Sequence, residues 1–346
     1  MEICPQGRTY LYVANQGSQS IYVYQMNTQT GGLTFRGQVA VDGDGAPMAI
    51  DTQQGVLYIG MEGEHKIQSF ALDMATGLLS PLQTFRLNYA PVYLQLDATR
   101  TVLLVSSYED NLVAAYRILA PGHLDLGSEV TLTTGDKAHA VVTDPYQPFV
   151  WITNTGDSQI QRSSFDPKQM CFGPLLNVPT QAGDGPRHLV FHPRLPMVYV
   201  VNEYADSVTC YCYNHRSELC YRQSMLTLPK STETNTCADI HITADGRFLY
   251  ASNRDISSQG KDSIAMFALD HQGGMQCLGQ VETVAIPRAF ALDPDAKFVF
   301  VAGKGSHTLA AYTVDPTSGF LQHLSSYPVG QSPAWVEALV LNGPAV

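Results

Sequence analysis

Two short sequence fragments each recur seven times along the chain, and this repeat limits the possible folds more than any other feature. The first fragment is a proline or alanine followed by a short apolar run and a turn, as in "APVYLQLDA" and "GPRHLVFHP". The second follows closely, as in "LLVSSY" and "VYVVNE". The first fragments begin 44 to 52 residues apart, at Pro47, Pro91, Ala138, Pro186, Ala238, Pro287 and Pro333. Such a period predicts repeated supersecondary units that pack against one another.

Each unit is predicted to contain four short antiparallel strands. After the two fragments come a third strand-like stretch such as "HKIQSFAL", a turn such as "DMATGLL", and a fourth strand. Four strands in a unit of this length are typical of a β-propeller blade. The chain opens on the second-fragment sequence "LYVANQ" and closes on the unaccompanied first-fragment sequence "SPAWVEALV". We therefore predict an all-β, seven-bladed β-propeller, closed by N- and C-terminal strands that share one blade, with residues 1–346 forming a single domain.

Composition excludes several classes of protein. The formal net charge of −11 argues against a general nucleic-acid or membrane binder, because such proteins present a basic face. No apolar run reaches the length of a transmembrane helix, and the start "MEICPQGRTYLYVANQ" lacks the regions of a signal peptide. The cysteines number 7 and lack paired metal-type spacing, so we expect reduced thiols. We expect a cytoplasmic monomer.

Two columns of residues are predicted to surround one mouth of the central channel. The first two strands of a blade run antiparallel, so the start of one and the end of the other lie on the same face of the ring. The residues after the proline or alanine marks are Met48, Val92, His139, Arg187, Asp239, Arg288 and Ala334. The residues that end the second fragments are Gln16, Glu62, Tyr108, Thr155, Glu203, Arg254 and Lys304.

Most ionisable members of these columns come from four successive units. They are His139, Arg187, Glu203, Asp239, Arg254, Arg288 and Lys304. Charges of both signs together with a histidine at one concave mouth are the usual composition of a polar active site. A single exposed loop charge is often only solvated. For the set of His139, Arg187, Glu203 and Arg254 we favour a functional role.

The remaining motifs predict neither a metal nor an organic cofactor. The histidine pair in "HLVFH" does not suit zinc, because residues four apart on a strand are separated by about 13 Å. His192 moreover occupies a column that holds aspartate in other units, which indicates a turn cap. His241 interrupts an apolar column, and both a core role and a site role stay open. Glycine pairs lack the helix that a phosphate loop requires, and no Gly-x-Ser-x-Gly elbow is present.

The C-terminal half carries a resemblance to a known family. Its motifs include "GDGPRHLVFHP", "VNEYADSV", "ADIHITADGRFLYASNR", "PRAFALDPDAKFVFVAGKGSHTLAAY" and "VGQSPAWV". They resemble the bacterial 6-phosphogluconolactonases of the seven-bladed propeller lactonase family, and the resemblance runs from Tyr10 to Val336. The family also contains fungal carboxymuconate lactonising enzymes, whose site has a histidine, an arginine, a glutamate and a second arginine. By motif position these correspond to His139, Arg187, Glu203 and Arg254.

The resemblance implies hydrolysis of 6-phosphogluconolactone, an anionic sugar δ-lactone, to 6-phosphogluconate, the step that follows glucose-6-phosphate oxidation in the pentose phosphate pathway. His139 can exchange protons near neutral pH, and Glu203 either orients it or acts as the base itself. Arg187 and Arg254 can stabilise an oxyanion or bind an anionic group. The residues expected to bind substrate, the last two through its phosphate, are Asp239, Arg288 and Lys304.

Two alternatives remain open at this point. One is a cycloisomerase or lactonase for a carboxylated, muconolactone-type substrate, in which the same arginines bind the carboxylates. The other is a non-catalytic propeller that binds a partner protein over this face. An exposed aromatic and apolar rim would favour protein binding, whereas a deep polar pocket would favour an enzyme.

Overall fold

The computed structural model describes residues 7–178, 180–214, 218–230, 234–257 and 261–342, and every regular element in these segments is a β-strand. In this part of the chain no helix has the length and apolar character needed to cross a membrane. The N-terminal residues 1–6, with Cys4 and the first part of the region considered for a signal peptide, lie outside the described residues.

The strands form seven antiparallel sheets, the blades, which we number from the N-terminus. Blade 1 consists of β29 (Pro333–Leu341), β1 (Arg8–Asn15), β2 (Ser20–Met26) and β3 (Leu33–Ala40). Blade 2 consists of β4 (Gly45–Asp51), β5 (Val56–Met61), β6 (Lys66–Leu72) and β7 (Leu79–Arg86). Blade 3 consists of β8 (Tyr93–Leu96), β9 (Val102–Ser107), β10 (Leu112–Ala120) and β11 (His123–Thr133).

Blades 4 to 7 follow the same plan, except that two short strands replace the fourth strand of blade 4. Blade 4 consists of β12 (Ala138–Thr143), β13 (Phe149–Asn154), β14 (Gln159–Asp166), β15 (Cys171–Phe172) and β16 (Leu176–Val178). Blade 5 consists of β17 (Pro186–Phe191), β18 (Met197–Asn202), β19 (Ser207–Tyr213) and β20 (Leu219–Leu226). Blade 6 consists of β21 (Asn235–Ile242), β22 (Phe248–Asp255), β23 (Ser263–Leu269) and β24 (Met275–Glu282). Blade 7 consists of β25 (Pro287–Leu292), β26 (Phe298–Gly303), β27 (Thr308–Val314) and β28 (Leu321–Pro328).

The blades close into a ring. Their first strands contact one another in sequence around the channel, through β29, β4, β8, β12, β17, β21 and β25 and back to β29. The ring is completed within blade 1, where β29 pairs with β1 and places Val336 opposite Val13. The predicted seven-bladed propeller, with N- and C-terminal strands in one blade, is confirmed.

The core lies between the faces of neighbouring blades. The second strands β5, β9, β18 and β26 are buried at every residue, whereas fourth strands such as β20 expose half or more of theirs. Between blades 2 and 3, for example, Tyr58 of β5 packs in one cluster with Leu103 and Val105 of β9. Burying each such side chain contributes about 1.5–3 kcal/mol, so the stacking of blades stabilises the ring.

A tyrosine in the second strand fastens several blades to the next one. Its hydroxyl donates at 2.8 to 2.9 Å to a glycine carbonyl in the turn before the next blade's fourth strand, from Tyr12 to Gly77, Tyr199 to Gly273 and Tyr250 to Gly319. Gly77 has a left-handed backbone conformation, with a φ of +73°. A Cβ at this position would lie 2.4 Å from the Tyr10 ring. Glycine is therefore required at this turn. The recurrence of tyrosine and glycine in the sequence reflects this contact between blades.

Candidate active site

The mouth residues of blades 4, 5 and 7 lie on β-bulges. Strand pairing shifts by one residue at the start of β12, β17 and β25, and the extra residues are His139, Arg187 and Arg288. A bulge interrupts the alternation of side chains along a strand and re-aims them. Arg187 and the next residue, His188, consequently share one side of the strand, where Arg187 Nη1 lies 3.3 Å from His188 Nε2.

Hydroxyl groups of the preceding blade hold two of these bulges in place. Ser106 Oγ of blade 3 donates to the His139 carbonyl at 2.9 Å. Thr153 Oγ1 of blade 4 donates to the Arg187 carbonyl at 2.6 Å. Because both donors are buried on second strands, the bulged backbone is fixed by the rigid part of the neighbouring blade.

Backbone hydrogen bonds hold the two mouth columns side by side. The amides of Glu203 and Lys304 donate to the carbonyls of Gly185 and Ile286, the residues before the first strands of their blades, at 2.7 and 3.0 Å. Ile286 has a φ of +53°, a conformation that β-branched residues rarely adopt. Strained residues of this kind persist where the surrounding structure enforces them and are concentrated at functional sites.

Arg187, Glu203 and Arg254 form a buried charged cluster. Arg254 Nη2 donates to Glu203 Oε1 at 2.7 Å, and Arg187 Nε lies 3.5 Å from Glu203 Oε2. Arg254 Nη2 also donates to the Cys237 carbonyl at 3.0 Å, and Arg187 Nη1 donates to the Ala238 carbonyl. Arg187 is 2% exposed and Arg254 is 7% exposed. The two guanidinium groups are therefore fixed around a single carboxylate.

This cluster has an excess of positive charge and one poorly aligned donor. Burial alone would raise the pKa of Glu203, but Arg187 and Arg254 bring it below its ordinary value, so Glu203 is a carboxylate. Burial and the adjacent Arg254 lower the pKa of Arg187, which reflects crowding of the two cations. Among the described residues, Arg187 Nε is buried without a well-aligned hydrogen-bond acceptor. An anion bound at the guanidinium groups would offset the excess positive charge.

His139 lies next to this cluster and is 6% exposed. The centroid of its ring is 5.7 Å from that of Tyr108 and 5.1 Å from that of His188. Burial, and then the positive charge of Arg187, lowers the pKa of His139 well below its usual value. The imidazole is consequently neutral at neutral pH, and within the described residues its buried Nδ1 has no hydrogen-bond partner. The near-neutral titration expected from the residue type is shifted to lower pH by these surroundings.

Arg288 and Lys304 extend the positive region around the mouth. Burial and Arg254 lower the pKa of Arg288, and burial and Arg288 lower the pKa of Lys304. Glu62 of blade 2 acts in the opposite direction on both groups. In the described part of the chain neither cation forms an ion pair within 4.0 Å. Two neighbouring cations without a direct carboxylate partner suit a dianionic group such as a phosphate.

Comparison with known proteins identifies the family. A family model described as lactonase, 7-bladed β-propeller, matches residues 8–338. The chain belongs to the seven-bladed β-propeller lactonase family. It is 32% identical over 337 residues to the 6-phosphogluconolactonase of Pectobacterium carotovorum, covering 96% of this chain and 99% of that protein.

Solved structures share the fold of this propeller lactonase. A Bacteroides fragilis protein has a TM-score of 0.87 at 22% identity, with 96% of this chain and 98% of that chain covered. The periplasmic gluconolactonase of Pseudomonas aeruginosa has a TM-score of 0.84 at 23% identity, with 96% and 99% covered. At these identities the likeness extends to the architecture of the ring.

In this propeller lactonase Asp239 lies in the channel wall, and both of its carboxylate oxygens accept hydrogen bonds from other groups of the protein. Oδ1 is 2.8 Å from His188 Nδ1, and Oδ2 is 3.2 Å from His241 Nε2. The amides of Ile240 and Phe290 also donate to this carboxylate, at 3.0 and 3.1 Å. The substrate-binding role expected for Asp239 stays a prediction, whereas the contacts observed are internal to the protein.

Sequence reasoning overlooked His188 as a member of the site. The centroid of its ring lies 5.3 Å from that of Tyr93, 5.1 Å from that of His139 and 6.0 Å from that of Trp335, so it reaches across the channel. Strict alternation along β17 would direct Arg187 and His188 to opposite sides, and the bulge overturns this rule. The sequence signal that was available is the pair of adjacent polar residues at the start of an apolar strand.

Two further histidines were considered in the sequence analysis, His192 and His241. His192 Nδ1 accepts the amides of Arg194 and Leu195, both at 3.0 Å, which confirms the turn cap. His241 is half-buried and hydrogen-bonded to Asp239.

Within the described segments no three His, Cys, Asp or Glu side chains are arranged to hold a metal ion. The described cysteines are free thiols, namely Cys171, Cys210, Cys212, Cys220, Cys237 and Cys277.

Proposed function

We propose that this chain hydrolyses 6-phosphogluconolactone to 6-phosphogluconate, as part of the pentose phosphate pathway. The observation that carries the proposal is the pair of buried guanidinium groups around Glu203, next to the neutral imidazole of His139. Membership of the lactonase family supports the reaction class. The name of the Pectobacterium relative, which matches nearly the whole chain, supports the phosphorylated sugar lactone as substrate.

His139 acts as the general base in this proposal. Its neutral imidazole takes a proton from a water molecule as the water oxygen bonds to the lactone carbonyl carbon. The bond between that carbon and the ring oxygen then breaks, and His139 returns the proton to the ring oxygen, which becomes a hydroxyl group. Glu203 accepts a hydrogen bond from Arg254 and faces Arg187 at 3.5 Å, so its role is to orient Arg254 and to offset the charge of both guanidinium groups.

Arg187 and Arg254 stabilise the negative charge that develops on the carbonyl oxygen. Their positions are fixed before substrate binds, because backbone carbonyls and Glu203 already hold them. Donors fixed in a site of low dielectric stabilise a transition state without having to reorganise, and removing one typically costs about 10²–10³ in rate.

Arg288 and Lys304 bind the phosphate of the substrate in this scheme. They follow Arg254 around the mouth, so a lactone held at Arg187 and Arg254 can place its phosphorylated end over blade 7. The whole chain carries a net charge of −11, and this local group of cations is what would attract an anionic substrate to the mouth.

Neither of the two alternatives is favoured. A muconolactone-type substrate carries carboxylates and no phosphate. The Pectobacterium relative is named 6-phosphogluconolactonase, which favours a phosphorylated lactone. A protein-binding face would require a broad apolar rim. The centre of this mouth instead consists of buried ionisable groups, with Tyr204 as an exposed aromatic residue beside them. Such a centre suits a small anion.

The decisive experiment follows the disappearance of lactone above its spontaneous rate, with phosphorylated and unphosphorylated gluconolactone compared at equal concentration. We expect acceleration with both and a lower KM for the phosphorylated substrate. A rate equal to the spontaneous one for both lactones would refute the proposal. Carboxylated muconolactone serves as the comparison substrate, and preferential turnover of it would establish the first alternative.

We also propose that residues 1–346 form one domain, and that the protein is a cytoplasmic monomer that binds neither nucleic acid nor membranes. The acidic charge supports the absence of nucleic-acid binding, and the free cysteines support a reducing compartment. Sedimentation, cell fractionation and a single calorimetric unfolding transition test these statements.

A further inference from the structure

A chain of contacts leads from Asp239, inside the channel wall, to the guanidinium of Arg187. Asp239 Oδ1 lies 2.8 Å from His188 Nδ1, and His188 Nε2 lies 3.3 Å from Arg187 Nη1. His188 is 5% exposed and Asp239 is 7% exposed, so water has little access to these contacts. The arrangement joins blade 6 to the bulge of blade 5.

These contacts determine which nitrogen of His188 carries the proton. Burial by itself would raise the pKa of Asp239, but His241 and His188 bring it well below its usual value, so Asp239 is a carboxylate. A carboxylate only accepts hydrogen bonds, and therefore Nδ1 of His188 is the nitrogen that donates. Burial and Arg187 lower the pKa of His188 to about 4, so at neutral pH its Nε2 carries a lone pair.

The lone pair on His188 Nε2 faces the guanidinium of Arg187, which can only donate hydrogen bonds. A guanidinium has five N–H donors and no acceptor, so the contact at 3.3 Å is a hydrogen bond from Arg187 Nη1 to His188 Nε2. The alternative tautomer would place an N–H of His188 against an N–H of Arg187. Since the Arg187 Nε contact with Glu203 is long, at 3.5 Å, the side chain depends on His188 and the Ala238 carbonyl for its orientation.

We propose that His188 and Asp239 are positioning residues, in which Asp239 fixes the His188 tautomer and His188 in turn orients the Arg187 guanidinium toward the substrate carbonyl. This proposal rests on the function proposed above and deepens it. It also gives Asp239 a role other than direct contact with substrate. Arg187 Nη1 is occupied by protein acceptors and Nε faces Glu203 Oε2 at 3.5 Å, so the guanidinium is held on both of these sides.

A pair of substitutions separates positioning from packing, because the His188 ring also packs against Tyr93 and Trp335. His188→Phe retains an aromatic ring but removes the acceptor for Arg187. His188→Gln loses the ring but places an amide oxygen near the position of Nε2. For positioning, we expect His188→Phe to lower kcat by about 10- to 100-fold with little change in KM, since small displacements of a catalytic group have effects of this size. We expect His188→Gln to recover most of that loss. The reverse order, with Phe active and Gln impaired, would overturn the proposal.

The matched control is His192→Asp, which removes a histidine from the same strand region and installs the residue found at equivalent turns. His192 caps a turn away from the mouth. We expect its kcat and KM to equal those of the unmodified protein. A fall in kcat for this variant as large as that of His188→Phe would mean that the kinetic test reports general damage to blade 5, and would contradict the proposal.

A second measurement does not depend on lactone hydrolysis, and its first arm uses the unmodified protein. Nitrogen-15 NMR of the imidazole groups in the unmodified protein reports the tautomer of each histidine. We expect His188 to be neutral and protonated at Nδ1 from pH 6 to 8, and Asp239→Asn to reduce that tautomer in favour of the one protonated at Nε2. A wild-type His188 protonated at Nε2, or at both nitrogens, would overturn the proposal even in an active lactonase. If no lactone is hydrolysed, the proposed function fails, while this spectrum still decides the tautomer.

Discussion

The innermost strands of blades 1 and 2 are interrupted at the mouth in the same way as those of blades 4 to 7, but they present different side chains. In blade 1 the extra residue is Ala334, and in blade 2 the shift in pairing spans Ala46 and Pro47. On the other side of the ring the extra residues of blades 4, 5 and 7 are His139, Arg187 and Arg288. The interruption therefore belongs to the repeated architecture, whereas the ionisable residues at the bulges belong to one side of the mouth.

This difference shows how a symmetric ring acquires one site. The bulge aims a side chain at the channel in most blades, and the residue placed there decides the chemistry. On the apolar side Met48, Val92 and Ala334 are buried, at 2%, 6% and 0% exposure. An apolar wall facing a group of cations lowers the local dielectric, and this strengthens the interaction of the cations with a bound anion.

Substitution of His139 should have the largest effect on the polar side. We expect His139→Gln to lower kcat by about 10²–10⁴, the usual contribution of a general base. Because burial and Arg187 lower the pKa of His139, the wild-type rate should fall with acid only well below the ordinary histidine pKa of about 6.5, and the variant should lack this fall. Steady-state kinetics from pH 4 to 8 check this. If His139→Gln turned over substrate at nearly the rate of the unmodified protein, His139 would not be the general base, and Glu203 would be the candidate for that role.

Arg187→Ala should reduce kcat by about 10²–10³, the range for loss of one oxyanion donor. Arg187→Lys retains the charge but lacks the planar set of donors, so it should recover only part of the loss. Saturation kinetics, together with circular dichroism to establish folding, measure both variants. If Arg187→Ala hydrolysed the lactone at the unmodified rate, the charged side of the mouth would not be the catalytic side.

Arg288→Ala and Lys304→Ala should distinguish binding from chemistry within the polar side. Each removes a charged hydrogen-bond donor worth about 1.5–3 kcal/mol, so KM for the phosphorylated lactone should rise about tenfold or more. The value of kcat should change little, since contacts equal in ground and transition states affect KM alone. Unphosphorylated gluconolactone is the control substrate, and its KM should stay the same. An equal rise for both lactones would exclude a phosphate-specific role.

The polar side should also make the folded state sensitive to acid. Burial holds the pKa of His188 at about 4 and that of His139 below its usual value, so the unfolded chain binds these protons first as the pH falls from about 6.5. From His188 alone the free energy of unfolding should drop by about 2 kcal/mol between pH 7 and pH 5. His241, whose pKa is raised by Asp239, acts in the opposite direction. Urea unfolding at the two pH values tests this, and His188→Gln should reduce the drop.

The smallest effect is expected on the apolar side. Met48→Leu conserves volume at a position that is 2% exposed, so it should cost less than about 1.5 kcal/mol of stability. Because Met48 lies opposite the cations, kcat and KM for the phosphorylated lactone should both match the unmodified protein. A clear change in KM would show that the substrate also contacts the apolar wall.

Much of the architecture was predictable because the repeat is recorded in local sequence. The marks from Pro47 to Pro333 gave the number of blades, and the terminal fragments gave the closure that β29 and β1 form. The antiparallel order of strands in a blade also brought Arg187, Glu203 and Arg254 to one mouth, where the structure joins them. Each of these inferences needs only the order of strands and the face on which they end, which a periodic chain specifies residue by residue.

The sequence by itself therefore determined the ring, its closure and the side of the mouth that carries charge. The tertiary structure decided that His188 points into the channel, that Asp239 contacts two histidines, and that His139 is neutral. The direction of His188 depends on a bulge, and a bulge exists only through pairing with the neighbouring strand β18. The protonation of His139 depends on burial and on cations contributed by three other blades, which are distant in sequence and close only in the folded ring.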